Sequence, residues 1–246
     1  STNLGERVIT SSPTSDRKYY FRYNGNPCPE TPSVTDIDGN TYNTVQIGGQ
    51  CWMVENLKTS TYKNGDPIPY IYSDNNWTND TIGAFVWHEH DTLTNDIYGS
   101  FYNWYAAVNP AGICPEGWHI PSYEEWMEMV DFIGGSLSPN GNKLKSCRQE
   151  FSPLGGGCAV FDDPKWTWNG IHFGTDDYGF AAYPAGSRHH TGLFINKDNA
   201  AQYWTSTIQH PNSVFSWSVN LYKDEGFIMF STDLKERGYC IRCLKN

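Results

Sequence analysis

Charge is scarce in this chain of 246 residues, where Asp, Glu, Lys and Arg together make up 18%. The charge present leans negative, at −10 net, and no basic run interrupts it. A nucleic-acid backbone and an anionic membrane are therefore excluded as partner classes. No apolar run approaches the roughly 18 residues of a membrane-spanning helix. A secretory signal is absent too, and the opening on polar Ser1 predicts a processed or truncated form. Zinc-type paired Cys-x-x-Cys motifs are missing, as is any internal repeat. No phosphate loop, nucleophile elbow or Ser-His-Asp order is evident. The expectation is a protein that is not an enzyme.

Aromatic residues, by contrast, are plentiful. Trp, Tyr and Phe supply 15% of the chain, beside 23 Gly and 14 Pro. This composition points to a loop-rich, aromatic-rich fold rather than a helical bundle. The length suits one large domain, or one domain plus an appendage, with a sizeable core. Seven cysteines favour disulfides and an oxidising compartment. Three pairs drawn from seven leave about 105 connectivities open.

Residues 1–33 read as a polar leader, broken by Ser11-Ser12-Pro13 and Asn24-Gly25-Asn26-Pro27, with one strand over Lys18 to Tyr23. The domain proper is expected over 34–246. Asp38-Gly39 and Gly48-Gly49 are hairpin turns separating strands Val34–Ile37, Tyr42–Ile47 and Cys51–Val54. Asp74 to Asp96, rich in Asn, Asp and Thr, reads as a long surface loop. Ser100 is expected to start a helix carrying Phe101, Trp104 and Tyr105. Pro139 to Gly192 is mostly loop. Strands Tyr203–Ile208, Val214–Tyr222, Gly226–Ser231 and Tyr239–Leu244 close the chain.

The densest signal is Cys114-Pro115-Glu116-Gly117-Trp118-His119-Ile120-Pro121-Ser122-Tyr123-Glu124-Glu125-Trp126. Ser122 can cap a helix while Glu125, three residues on, reaches back to it. Trp126, Met129, Val130 and Ile133 recur at helical spacing, and Gly134-Gly135 supplies the stop. The order Cys-Pro-x-Gly-Trp-His-x-Pro-[Ser/Thr]-x-x-Glu-Trp is a family hallmark. Val34 to Leu57, Tyr98 to Ala106, Tyr203 to Thr207 and Gly238 to Lys245 add co-linear blocks. Together they resemble the Fibrobacter succinogenes major paralogous domain family.

That resemblance implies an α+β, C-type-lectin-like fold with two main helices and twisted antiparallel sheets, loop-rich and disulfide-stapled. It implies kinship with the formylglycine-generating enzyme and a setting on the surface of Bacteroidetes-type bacteria, as lipoprotein or secreted protein. It also implies a Cys114–Cys243 bridge. Cys147 and Cys158 flank a short insert and are expected to pair, and Cys28 with Cys51 would staple the leader down. Cys240 is left over. The cysteine pair, separated by four residues, that the formylglycine-generating enzyme uses for copper is absent. So are the Glu-Pro-Asn and Gln-Pro-Asp motifs of calcium-dependent lectins, and Trp204-Thr205-Ser206 stands where their Trp-Asn-Asp would be.

Within Val214 to Tyr222 the alternation is strict. Phe215, Trp217, Val219 and Leu221 should face the core, and Val214, Ser216, Ser218, Asn220 and Tyr222 water or a ligand. In the related folds this late sheet and its loops form the recognition surface. The candidate ligand-binding residues are Trp166, Trp168, Arg188, His189, Tyr203, Ser216, Asn220 and Tyr222, because exposed aromatic rings stack on sugar faces while polar side chains bond hydroxyls. His88-Glu89-His90-Asp91 falls short of the three or four convergent ligands zinc requires, so no metal is expected. Asp162-Asp163 and Asp176-Asp177 offer hard oxygens for calcium without a recognisable loop, and no cofactor is expected. Cys240-Ile241-Arg242-Cys243 has redox spacing but sits on a strand rather than at a helix start. The resulting expectation is a noncatalytic surface or secreted module that binds glycan. A protein-binding adhesin and a structural domain of a surface assembly are the alternatives.

Overall fold

Turn chemistry and one capped helix set the frame. The computed structural model describes Arg7–Val8, Tyr20–Phe21 and residues 25–246. The Asp38-Gly39 and Gly48-Gly49 turns fold Ser33–Thr35, Thr41–Ile47 and Gln50–Met53 into an antiparallel meander. Gly48 sits at φ 61°, and a Cβ there would meet the Phe132 ring at 3.0 Å, so the turn needs glycine. The C-terminal Leu244–Lys245 pairs with Gln50–Met53 and with Trp118–His119, completing a five-stranded sheet. Residues 26–32 also run beside this sheet, where Gln46 donates to the Asn26 carbonyl and Thr44 to that of Pro32. Arg7–Val8 and Tyr20–Phe21 pair with each other, so the expected leader strand is present as Tyr20–Phe21. The rest of Lys18 to Tyr23 lies outside the described residues.

The main helix, Tyr123–Phe132, begins as its sequence demands. Ser122 Oγ accepts from the Glu125 amide at 3.2 Å, and the Glu125 carboxylate accepts from the Ser122 amide at 2.7 Å. The helix bridges two sheets through one side chain. Trp126 lies 4.7 Å from Trp52 on the first sheet and 5.5 Å from Tyr203 on the second. That second sheet consists of Ala200–Ile208, Phe215–Tyr222 and Met229–Leu234, all antiparallel, with an irregularity between Trp204 and Ile208.

Disulfides join Cys28–Cys51, Cys114–Cys243 and Cys147–Cys158, while Cys240 is free and buried. These are the expected pairs. The second closes 129 residues and contributes roughly 5 kcal/mol in the chain-entropy account.

Two local expectations are corrected. Ser100 does not start a helix; Phe101–Tyr102 is a strand paired with Phe85–Val86. The cap is Asn103, whose Oδ1 accepts from the Ala84 and Ala106 amides and starts the short helix Trp104–Ala107. Nor is Asp74 to Asp96 a loop. Ser73 and Asp91 cap the helices Asp74–Thr78 and Thr92–Tyr98, and Trp77 anchors the first in the core. The polar composition there is that of helix caps. The segment 139–192 is mostly irregular, as expected, apart from 3-10 turns and the hairpin Ser187–Arg188 with Phe194–Ile195.

Candidate functional site

Register fixes which side chains share a face of the late sheet. Gln202 opposes Asn220, Trp204 opposes Ser218, and those residues oppose Met229 and Ser231 on the third strand. One face therefore carries Gln202, Trp204, Ser216, Ser218, Asn220, Tyr222, Met229, Ser231 and Asp233. The other carries Tyr203, Phe215, Trp217, Val219, Leu221 and Phe230, and it packs on the main helix through Tyr123.

The division into faces follows the alternation, but the burial does not. Ser216, Ser218 and Asn220 are fully buried, whereas Phe215 is 38% exposed and Trp217 half-buried. On this face Tyr239 packs at a tilt against Trp204, 4.6 Å between ring centres, and interacts with Asp233, so the polar groups lie under cover. The expectation that Ser216 and Asn220 face water is thus corrected.

Under this cover the polar groups form a relay. Gln202 Nε2 donates to Asn220 Oδ1 at 2.7 Å, and Asn220 Nδ2 donates to Ser218 and Ser231 at 3.0 and 2.9 Å. Both hydroxyls reach Asp233 Oδ2, at 2.7 and 3.1 Å. Arg237 Nε meets Asp233 Oδ1 at 3.3 Å from the other side. Such charge-assisted bonds hold the carboxylate in one orientation. Gln202 Oε1 and Ser216 Oγ are buried without a protein partner among the described residues.

The relay surfaces along one margin, where Tyr222, Ser231, Asp233 and Arg237 are each half-buried. Burial and then the Asp233 carboxylate push the Tyr222 hydroxyl's pKa up, against Arg237. Burial, then His190 and Arg237, hold His189 below the usual histidine range. Arg188 and Gly238 bridge backbone to backbone, which brings His189 alongside Arg237.

Of the residues singled out in the sequence, Tyr222 and His189 reach this margin. Trp168 is exposed and stands on the loop whose Asn169 bonds Asp224, two residues past Tyr222. Others are corrected. Trp166 is buried, donating to the Ala182 carbonyl at 3.2 Å beneath Lys145. Tyr203 is buried between Trp126 and Phe180. Arg188 is fully buried, stacked on Trp77, and its donors go to Gly192, Ile71, Tyr72 and Asp74. With four of its five donors engaged inside the protein and no solvent exposure, this guanidinium does not face a ligand. Sequence reasoning missed Gln202, Ser231, Asp233 and Arg237. Extending the expected Gly226–Ser231 strand to Leu234 would have revealed the alternation that places Ser231 and Asp233.

The other clusters are held internally. His90 Nδ1 lies 2.8 Å from the Tyr70 hydroxyl, and Asp162 and Asp163 pair with Arg148 and Lys197. Asp176 is buried and accepts from the Ala181 amide. Among the described residues, no group of three or more His, Cys, Asp or Glu could hold a metal ion. Burial pushes the Cys240 thiol up to about 12, opposite to a reactive thiol, and Cys243 is committed to Cys114. No helix among the described residues is long and apolar enough to cross a membrane.

The molecule is thus an α+β, disulfide-stapled domain with a sunken polar tract on its late sheet. It belongs to the Fibrobacter succinogenes major domain family, whose pattern it matches over residues 45–245. No curated protein and no solved structure matches it.

Proposed function

We propose that this domain is a noncatalytic binding module of the cell surface or secreted space that recognises glycan at the open margin of the late sheet. The observation that carries this reading is the orientation of Asp233 and Ser231. They are locked by the relay from Gln202 and Asn220, with Asp233 paired to Arg237, yet half-open to solvent, with Tyr222 on the same face and within reach of the Asp233 charge. An acceptor and a donor side by side, with an aromatic ring on the same face, are what a hydroxyl-rich ligand needs, and groups fixed beforehand cost little ordering on binding. The antiparallel sheets, the main helix packed between them and the long-range Cys114–Cys243 bridge support a C-type-lectin-like fold, whose late sheet commonly serves recognition. The disulfides support an oxidising, extracytoplasmic setting.

A glycan array followed by calorimetry tests this. Tyr222→Ala and Arg237→Ala should each weaken binding about tenfold or more while thermal melts stay within about 1 kcal/mol. Unaltered binding in both variants would move the site elsewhere. An array with no hit, together with capture of a defined surface protein, would favour the adhesin reading.

A further inference from the structure

Trp168 is 54% exposed, and the atoms beneath it give that exposure a shape. A Cβ on Gly170 would stand 3.3 Å from Trp168 Cζ2 and 3.6 Å from Cη2. The six-membered part of the indole therefore lies against a residue without a side chain. An indole held against backbone and more than half exposed offers ring surface for stacking.

Its position relative to the late sheet is fixed by hydrogen bonds. Asn169 Oδ1 accepts from the Ile171 and His172 amides at 2.8 Å each, closing the loop that carries the indole. Asn169 Nδ2 donates to Asp224 Oδ1 at 3.0 Å, and Lys223 Nζ lies 3.4 Å from the same carboxylate oxygen. Asp224 stands two residues past Tyr222, at most about 7 Å of backbone. Between the platform and Tyr222 thus lies an exposed run of amide, carboxylate and ammonium.

We infer that Trp168 forms a second saccharide subsite, so that the ligand is a chain of several neutral sugar units rather than a terminal monosaccharide. This rests on the glycan reading of the late-sheet margin. One unit engages Tyr222, Asp233 and Arg237, and a later unit lays its C–H face on the indole with its hydroxyls toward Asn169, Asp224 and Lys223. Neutrality follows from charge: the cations on the route are already paired, Lys223 with Asp224 and Arg237 with Asp233, so no free cation awaits a uronate or sulfate, and the whole chain carries −10.

The test is calorimetry with cello-, laminari-, xylo- and manno-oligosaccharides of two to six units, and oligogalacturonides as the anionic counterpart. The unaltered protein should bind one neutral series with affinity that grows with chain length. Trp168→Ala should cost about tenfold for the longest chains and nothing for the dimer, with Trp168→Tyr restoring most of it. Tyr222→Ala should weaken every length. If Trp168→Ala leaves the longest chains unaffected while Tyr222→Ala abolishes binding, the second subsite is wrong and the glycan reading stands. If the oligogalacturonides bind best, neutrality is wrong. Should no saccharide of any length bind, the glycan reading fails and this subsite fails with it.

Discussion

Val219 and Leu221 on one face of the central late strand, and Ser218 and Asn220 on the other, are almost equally hidden from water. The means differ. The first pair belongs to the core beneath the main helix, where burial is favourable in proportion to apolar area. The second pair gains little from leaving water and is tolerated because each polar atom finds another, ending on Asp233. Burial of this kind gives orientation rather than cohesion. It loses far more from a missing partner than it gains from a present one. The lesson is that alternation assigns side chains to faces, while coverage by distant segments decides which faces stay wet.

Truncating the apolar face should have the largest effect. Leu221→Ala should cost about 2–5 kcal/mol in urea unfolding through lost transfer energy and a cavity. Trp217→Ala on the same face should cost less, about 1–2 kcal/mol, because the ring is half-buried and touches Tyr123 near the helix start. If Trp217→Ala proved the worse, the core would be centred nearer the strand's start than the packing indicates.

Truncating the polar face ranks next. Asn220→Ala strands Gln202 Nε2 and removes donors to Ser218 and Ser231, so a loss of about 1–3 kcal/mol is expected. A cycle with Ser231→Ala should show coupling of roughly 0.5–3 kcal/mol. Strict additivity would mean the relay is a row of independent contacts.

The legible parts of this molecule were those specified locally. The Ser122/Glu125 cap, the Gly48 turn and the Cys147–Cys158 staple each depend on residues close in sequence. The Cys114–Cys243 bridge was legible through family resemblance. Coverage was not legible. Nothing near Asn220 announces that Tyr239 will pack against Trp204 on its face, and nothing near Arg188 announces Trp77. Arg242 is the strongest instance. It is buried on Phe180 and bonded to Asn56 and to the carbonyls of Met53, Phe180 and Ala181. A buried guanidinium with four hydrogen bonds ties three chain regions that sequence spacing treats as unrelated.

Buried ions elsewhere sharpen the contrast with the relay by being sensitive to pH. Burial pushes the Asp176 carboxyl from 3.8 up to about 7, against the Ala181 amide and Arg242. Between these values the folded chain keeps a proton that the unfolded chain releases, so stability should fall as pH rises from about 4 to 7. Burial likewise draws Lys145 from 10.5 down to about 7, against Asp224 and Glu225. Between 7 and 10.5 the unfolded chain holds the extra proton, so stability should recover as pH rises further. The two groups together give a minimum near neutrality. Asp176→Asn should flatten the acid limb and Lys145→Met the alkaline one in denaturation at a series of pH values. Unchanged limbs would show that other groups set the profile.

The smallest expected effect replays the comparison two residues apart. Trp166 is 2% exposed and bonded to Ala182, while Trp168 is 54% exposed over Gly170. Trp168→Ala should leave the thermal melt within about 0.5 kcal/mol, since no core contact is lost, whereas Trp166→Ala belongs with the core truncations. Iodide quenching separates the two indoles in the folded state. The Trp168 variant should lose a readily quenched share of the emission, because iodide reaches an open ring and not one sealed beneath Lys145. An unchanged quenching curve would place the Trp168 ring against protein in solution, and the open platform would be gone.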